Sequence, residues 1–274
     1  METQTTIIRP KKVFHLSDLK ELWVYKELLY FLTWRDLKVR YKQTLVGGMW
    51  AIFQPFLTMV VFTIFFGRLA GIPSDNTPYP IFIYVGLLFW QFFSGALSDT
   101  SNALISNQAI ITKVYFPRLL LPISTVITKF VDFAIAAVIL VGLMAYYHYT
   151  PFLWGLFLLP LLLFITFMAA TGLGLFLAAL NVKYRDVRHA LPFFIQLLLF
   201  LTPVIYPASI AGKYSWVLAL NPMTGVIQTA RAALLGTTPI NWTLLGISFV
   251  ACLIMLIIGV SYFKKIEKNF ADIV

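Results

Sequence analysis

Residues 152–189 read FLWGLFLLPLLLFITFMAATGLGLFLAALNVKYRDVRH, and the character of the chain changes sharply at position 181. Residues 152–180 carry no charged side chain, whereas 181–189 hold Lys183, Arg185, Asp186 and Arg188. At about 1.5 Å of helix per residue the uncharged run exceeds the roughly 30 Å of a bilayer's hydrocarbon core. It therefore reads as a spanning helix with a basic stop at one end. Excess Lys and Arg beside a span mark its cytoplasmic side, so this one boundary orients everything around it.

Working outward, five more runs are apolar enough to span, at about 47–67, 80–104, 120–147, 190–206 and 241–263. The breaks between them alternate in charge. Lys113 and Arg118 fall in 105–118, and Lys264, Lys265 and Lys268 follow the last run, so these join 181–189 on the cytoplasmic side. Residues 68–79 carry Gly71, Pro73 and Pro78 and form an outside turn, as does the short Tyr147–Pro151 break. Arg9, Lys11, Lys12, Lys20, Lys26, Arg35, Lys38, Arg40 and Lys42 precede the first run, while the opposite side has only Arg68, Lys213 and Arg231. Even numbering follows, with both ends in the cytoplasm. The expected organisation is a single all-α integral membrane domain over 1–274. It comprises a cytoplasmic tail and interface helix (1–45), five spans (47–206), extracytoplasmic helices (207–239), a sixth span (241–263) and a cytoplasmic tail (264–274).

Composition agrees. The chain is 60% hydrophobic and 12% charged, against roughly half apolar and a quarter charged in soluble domains. Its mean hydropathy is +0.84. A net charge of +10 would suit nucleic acid if it lay on one soluble face, but here the cations are interleaved with spans, which points to topology and anionic lipid headgroups. Residues 1–45 lack the apolar core and small-residue cleavage site of a signal peptide. The single Cys252 excludes an internal disulfide and any CxxC motif.

Two segments do not read as simple spans. Over residues 19–43, Lys20, Glu27, Arg35, Lys38 and Lys42 gather on one side of a helical projection, with Leu22, Leu28, Leu29, Leu32 and Val39 mostly opposite. Trp23, Tyr30, Trp34 and Tyr41 flank them, and Lys26, Asp36 and Arg40 interrupt the apolar side. Such a helix lies in the cytoplasmic interface, as an anchor or as a dock for a partner or an anionic headgroup. From Tyr206 to Pro239 two short apolar stretches, Trp216–Leu220 and Met223–Gly236, flank Asn221-Pro222. Runs this short form re-entrant or interfacial helices, either a hairpin that closes a pore or an outside loop packed on the bundle.

Enzymatic chemistry lacks its residues. His15, His148 and His189 are far apart, with no GxSxG, HExxH or DxD pattern and no Walker A loop. Energy from ATP would have to come from another subunit. Lys129 and Asp132, one turn apart in the third span, read as a local ion pair, and Asp99 in the second span faces a wet interior or the inner boundary. Aromatics make up 16%. Trp50, Phe53, Phe89, Trp90, Phe92, Phe93, Trp154, Tyr206 and Trp216 cluster near span ends, as an interface belt or as stacking surfaces for sugar rings.

Four stretches carry a family resemblance: LLYFLTWRDLKVRYKQTLVGGMWAIFQP at 28–55, NQAIITKVYFPRLLLP at 107–122, NVKYRDVRHALPF at 181–193 and NPMTGVIQTARAALLG at 221–236. In this order, over essentially the whole chain, they resemble the ABC type-2 permeases that export lipopolysaccharide O-antigen, capsule or teichoic-acid polymers. The resemblance implies a homodimer, each half having six spans, an N-terminal interface helix and extracytoplasmic gate helices at 206–236. Two copies of a separate nucleotide-binding ATPase would dock from the cytoplasm, binding ATP and Mg themselves, so that this chain needs no cofactor. It implies that Asn107, Ile111, Lys113, Val114, Tyr115, Phe116 and Arg118 form the ATPase-coupling helix. Arg35, Lys38, Arg40 and Lys42 would attract the anionic headgroup of a lipid-linked polymer, and Trp50, Phe53, Phe89, Trp90, Phe93, Tyr206 and Trp216 would face the glycan. The expected function is a permease subunit in the cell inner membrane. The alternatives are an ABC permease for a lipid or drug, an integral-membrane enzyme of lipid-linked sugars, or a secondary carrier.

Overall fold

The computed structural model describes residues 22–42, 49–150, 153–184 and 186–267. Expectations for the tails at 1–21 and 268–274 and for Arg185 fall outside these residues. Among the described residues all regular structure is helical. The elements are α1 (Lys26–Lys42), α2 (Met49–Phe62, continued by a π-helical segment Thr63–Leu69), α3 (Tyr79–Ser106), α4 (Gln108–Ile111) and α5 (Leu120–Tyr146). Then come α6 (Leu153–Lys183), α7 (Asp186–Leu201), a 3-10 segment (Ala208–Tyr214), α8 (Ser215–Ala219), α9 (Pro222–Leu235) and α10 (Trp242–Glu267).

Five helices are long and apolar enough to cross a membrane: Met49–Leu69, Tyr79–Ser106, Leu120–Tyr146, Gly155–Lys183 and Trp242–Glu267. They match the first four expected spans and the last. The run expected at 190–206 behaves differently. Its helix, α7, has 16 residues and so covers about 24 Å, short of a full hydrocarbon crossing. It stops because Thr202 precedes Pro203, whose ring disfavours helical backbone in the residue before it. The Thr202 amide makes the closing bond to the Leu198 carbonyl at 2.9 Å.

α3 is the hub of the bundle, packed against α2, α5, α6 and α9. Of its most apolar stretch 78% is buried, against 11% for α2. That difference explains its composition: Gln91, Ser94 and Asp99 sit on a helix shielded by neighbours, whereas the span that α2 begins, little covered by the rest of this chain, exposes Ile64 and Phe65. α6 and α10 touch backbone to backbone. A Cβ on Gly259 would lie 1.9 Å from the Gly172 carbonyl oxygen, and one on Gly172 would lie 2.6 Å from the Leu256 nitrogen. Small residues permit the close approach on which helix association in lipid depends.

The connections α2–α3, α5–α6 and α9–α10 share one end of the bundle. α9 lies across that end. Its N-cap Asn221 accepts from the Met223 amide at 3.0 Å and donates to Thr202 Oγ1 at 2.7 Å. Near its other end, Ala233 packs against Gly155 at the start of α6, and Gly236 closes the helix with a φ of 66°. Arg231 is buried within α9 and holds the end together. Its Nε donates to the Phe82 carbonyl (3.1 Å), Nη1 to Pro203 (2.8 Å) and Nη2 to Val204 (2.6 Å), and its guanidinium lies 3.6 Å from the centre of the Phe82 ring.

Candidate functional site

The opposite, basic end of the bundle has a second apolar core of its own. Leu32 from α1, Ile111 from α4, Phe116, Leu119 and Leu120 ahead of and within α5, Val182 of α6 and Phe263 of α10 pack together there. Leu22, Tyr25, Leu28 and Leu29 cover its edge. One desolvated cluster thus fixes α1 and the α4 region to the ends of four other helices, at the roughly 25 cal/mol per Å² that buried apolar area contributes.

Polar contacts add direction. Asn107 ends α3 with φ −113° and ψ 20°, and its Nδ2 donates to the Ala103 carbonyl at 2.8 Å. Its side-chain oxygen accepts from Arg35 Nη2 at 2.7 Å, so α1 grips the junction between α3 and α4. Arg35 also pairs with Asp36 at 2.7 Å, and Asp36 accepts from Ser124 on α5 at 3.5 Å. Arg118 ties the far side of the loop to the end of α10, its backbone N–H donating to Glu267 Oε1 at 3.3 Å. Between these anchors Ile111 and Phe116 are buried, while Val114 is 58% and Tyr115 89% exposed. With Lys113 and Arg118 they rim a hollow of ≈ 190 Å³. The result is a projecting tip on a rooted base.

One turn further along α1, Arg40 Nη2 meets Asp99 of α3 at 2.7 Å while Nη1 meets Asp132 of α5. Lys129 of α5 lies 3.2 Å from Asp99 and 3.5 Å from Asp132, and the Tyr41 hydroxyl donates to Asp132. The local Lys129–Asp132 pair expected from spacing is therefore one side of a network across three helices, with two cations and two anions. Burial disfavours the Arg40 charge, but Asp132 and Asp99 together outweigh it and hold the guanidinium above its ordinary pKa. Burial, and then the bond to Asp132, push the Tyr41 phenol up as well. Among the described residues no three His, Cys, Asp or Glu side chains gather as metal ligands.

A family model described as ABC-2 type transporter matches residues 27–235, from α1 to the end of α9. The chain belongs to the ABC-2 type transporter family. An "O-antigen export system permease protein RfbA" from Klebsiella pneumoniae is 29% identical over 248 residues, covering 90% of this chain and 95% of that protein. A Myxococcus xanthus protein of the same name is 34% identical over 218 residues, 78% of this chain and 82% of its own. The "Polysialic acid transport protein KpsM" of Escherichia coli is 23% identical over 243 residues, 85% and 91%.

On this ABC-2 chain the residues singled out from sequence divide by environment. All seven in the 107–118 stretch lie in or beside the rooted tip. The basic residues of α1 separate: Lys38 and Lys42 are exposed, with Lys38 over the Trp34 ring at 5.4 Å, whereas Arg35 and Arg40 turn inward to Asn107 and to the carboxylates. The aromatics divide too. Trp50, Phe53 and Trp216 are exposed, and Tyr206 is half-buried, donating to the Phe200 carbonyl at 3.0 Å. Phe89, Trp90 and Phe93 are at most 5% exposed, and Phe89 meets Phe133 edge-on at 5.3 Å. Those three pack against neighbouring helices of the same chain, because they sit on the hub helix. Sequence reasoning gave Arg231 no role, its only signal being its place among three cations on the cation-poor side.

Proposed function

We propose that this chain is the membrane-embedded permease subunit of an ABC transporter that exports a lipid-linked polysaccharide across the cytoplasmic membrane. The observation that carries this reading is the set of relatives: proteins named for exporting or transporting two different sugar polymers align with most of the chain. In this reading the basic end, with both termini, faces the cytoplasm of a cell whose inner membrane holds the protein. Two copies form the passage, and two copies of a separate ATPase, carrying ATP and Mg, dock on the tips at 107–118. The multi-pass architecture and the lack of enzymatic motifs favour a conduit over a catalyst.

The chain's own residues then have distinct tasks. Lys38 and Lys42, exposed on α1 and flanked by Trp34, attract the anionic headgroup at the interface, each cation contributing about 1 kcal/mol near a charged membrane surface. Tyr115 and Val114 enter the ATPase, while Ile111 and Phe116 transmit its movement to the second core. Asn107 relays it to α1 through Arg35. α9, lying across the far end, closes the passage between cycles. Trp50, Phe53 and Trp216 offer ring faces along which a polymer slides.

The test is reconstitution with the cognate ATPase. Tyr115→Asp together with Lys113→Glu is expected to abolish stoichiometric co-purification and surface display of the polymer while leaving the permease folded. Normal export by that double variant, or wild-type export that continues without the ATPase, would refute the reading.

A further inference from the structure

A polar cavity of ≈ 140 Å³ lies between α2, α3 and α5. Gln54, Gln91, Ser94 and Asp132 line it, with the Phe92 and Phe133 rings as walls. Measured along α3 from Tyr79, Gln91 is about 18 Å deep and Asp99 about 30 Å. The cavity thus opens on the ion network and extends about 12 Å along α3 from Asp99 toward the middle of the span. The side chains of Gln54, Gln91 and Ser94 find no hydrogen-bond partner among the described residues. Pro55 adds to the surplus: having no N–H, it leaves the carbonyl of Ala51, another lining residue, without its usual helical donor. Gln54 is exposed and Gln91 and Ser94 are half-buried, so their polar groups stand open to the cavity, and the ion network, whose members are committed to one another, does not engage them.

Charge and shape select the ligand. Lys129 reaches the cavity but is shared by Asp99 and Asp132, so the lining offers no net positive charge to a phosphate. It offers two carboxamides, a hydroxyl and the Ala51 carbonyl that Pro55 does not serve, which together donate and accept in several directions, beside two aromatic walls. That inventory suits a neutral ring bearing several hydroxyls, and the volume suits one such ring. We propose that the cavity is a subsite for a single sugar residue of the transported glycan, held by Gln54, Gln91 and Ser94 close to the cytoplasmic mouth. This rests on the polysaccharide reading above.

The test uses the permease–ATPase complex in lipid nanodiscs. One probe is lipid-linked glycan extracted from the source cells, and the other is polyprenyl diphosphate without sugar. The readout is the concentration of each that half-maximally stimulates ATP turnover. Gln54→Leu and Gln91→Leu, singly and combined, remove amides that pair with nothing among the described residues, and thermal midpoint and co-purification check their folding. The combined variant is expected to raise the half-saturating glycan concentration roughly tenfold, the loss of one or two neutral hydrogen bonds, with no change for the sugar-free lipid. An unchanged glycan response overturns the subsite, as does an equal shift for both probes, which would assign the cavity to the headgroup. Separation of the two permease copies in the variants would also overturn it, by showing that the amides serve the dimer. If glycan fails to stimulate the wild-type complex while the sugar-free lipid does, the polysaccharide reading itself is lost.

Discussion

Replacing Arg231 with Met tests what holds the cation-poor end together. The guanidinium is 5% exposed and donates to three carbonyls, but their dependence on it differs. Phe82 lies inside α3, where its carbonyl also faces the Gly86 amide four residues on. The Pro203 and Val204 carbonyls belong to the turn after α7 and lose the donor that Arg231 supplies. Two orphaned carbonyls cost about 1–3 kcal/mol each, and a desolvated cation–ring contact about 2. Relief from burying a guanidinium offsets part of this, since among the described residues its direct partners are carbonyls and no carboxylate lies in salt-bridge contact with it. A net loss of about 3 kcal/mol follows. At roughly 2–4 °C per kcal/mol for a chain of this size, the thermal midpoint in detergent should fall by roughly 6–12 °C. Arg231→Lys should fall between, keeping the charge but not the planar fork. A coupled change sharpens the test. A Cβ on Gly86 would lie 2.7 Å from Arg231 Nη2 and 3.2 Å from the Val204 carbonyl. Gly86→Ala should therefore destabilise the wild type and lose most of its cost beside Arg231→Met. A fall below roughly 2 °C for Arg231→Met, or full additivity of the pair, would refute the clasp.

Two further outcomes follow from the contacts. Arg40→Met should release the end of α1 and speed backbone hydrogen exchange across Lys26–Lys42 by roughly tenfold, because Asp99 and Asp132, partly exposed, still share Lys129. With Arg40 and Tyr41 both raised, their contribution is complete below the ordinary tyrosine range and lost only as pH climbs past it, so this exchange should show no extra opening between roughly pH 6 and 9. Gly259→Leu should eliminate monodisperse protein in size-exclusion chromatography by driving α10 off Gly172, whereas Gly246→Leu, with nothing within 4 Å, should leave it intact.

How much of this was legible depends on whether the signal is local. Span length and the sign of flanking charge are local properties, and the boundaries of α3, α5, α6 and α10 came close to the expected ones. The short α7 was legible in principle, since Thr202-Pro203 sits inside the apolar run, but hydropathy outweighed it. The basic end is more instructive. Asp36 and Arg40 read as flaws in an amphipathic helix because the helical projection contains no neighbours; their partners Ser124, Asp99 and Asp132 lie far along the chain. The burial of three aromatics was hidden for the same reason. Phe89, Trp90 and Phe93 fall at positions that fit a lining, and only the packing of α2, α5, α6 and α9 around α3 shows how deeply they are buried within this chain.

The two ends of α3 solve one problem in different ways. Each must accommodate a cation from another element at low dielectric. At Arg231 the acceptors are backbone carbonyls fixed by a proline turn, and among the described residues no second donor is placed to replace the guanidinium, so any departure of α9 orphans both sides at once. At Arg40 the acceptors are carboxylates that Lys129 already serves from within α5. Should α1 withdraw, Asp99 and Asp132 keep a cation within 3.2 and 3.5 Å, and Arg40, partly exposed, regains water. Breaking a buried pair outright costs about 3–5 kcal/mol; a pair with a resident substitute and solvent nearby costs a fraction of that. The clasp that ties α9 to the α7 turn is thus costly to open and the clasp beside the projecting tip is cheap. Under the proposed function, in which a partner docks at the tip while the far end stays shut, that order of costs is required, and the opposite order would leave the tip rigid and the far end loose.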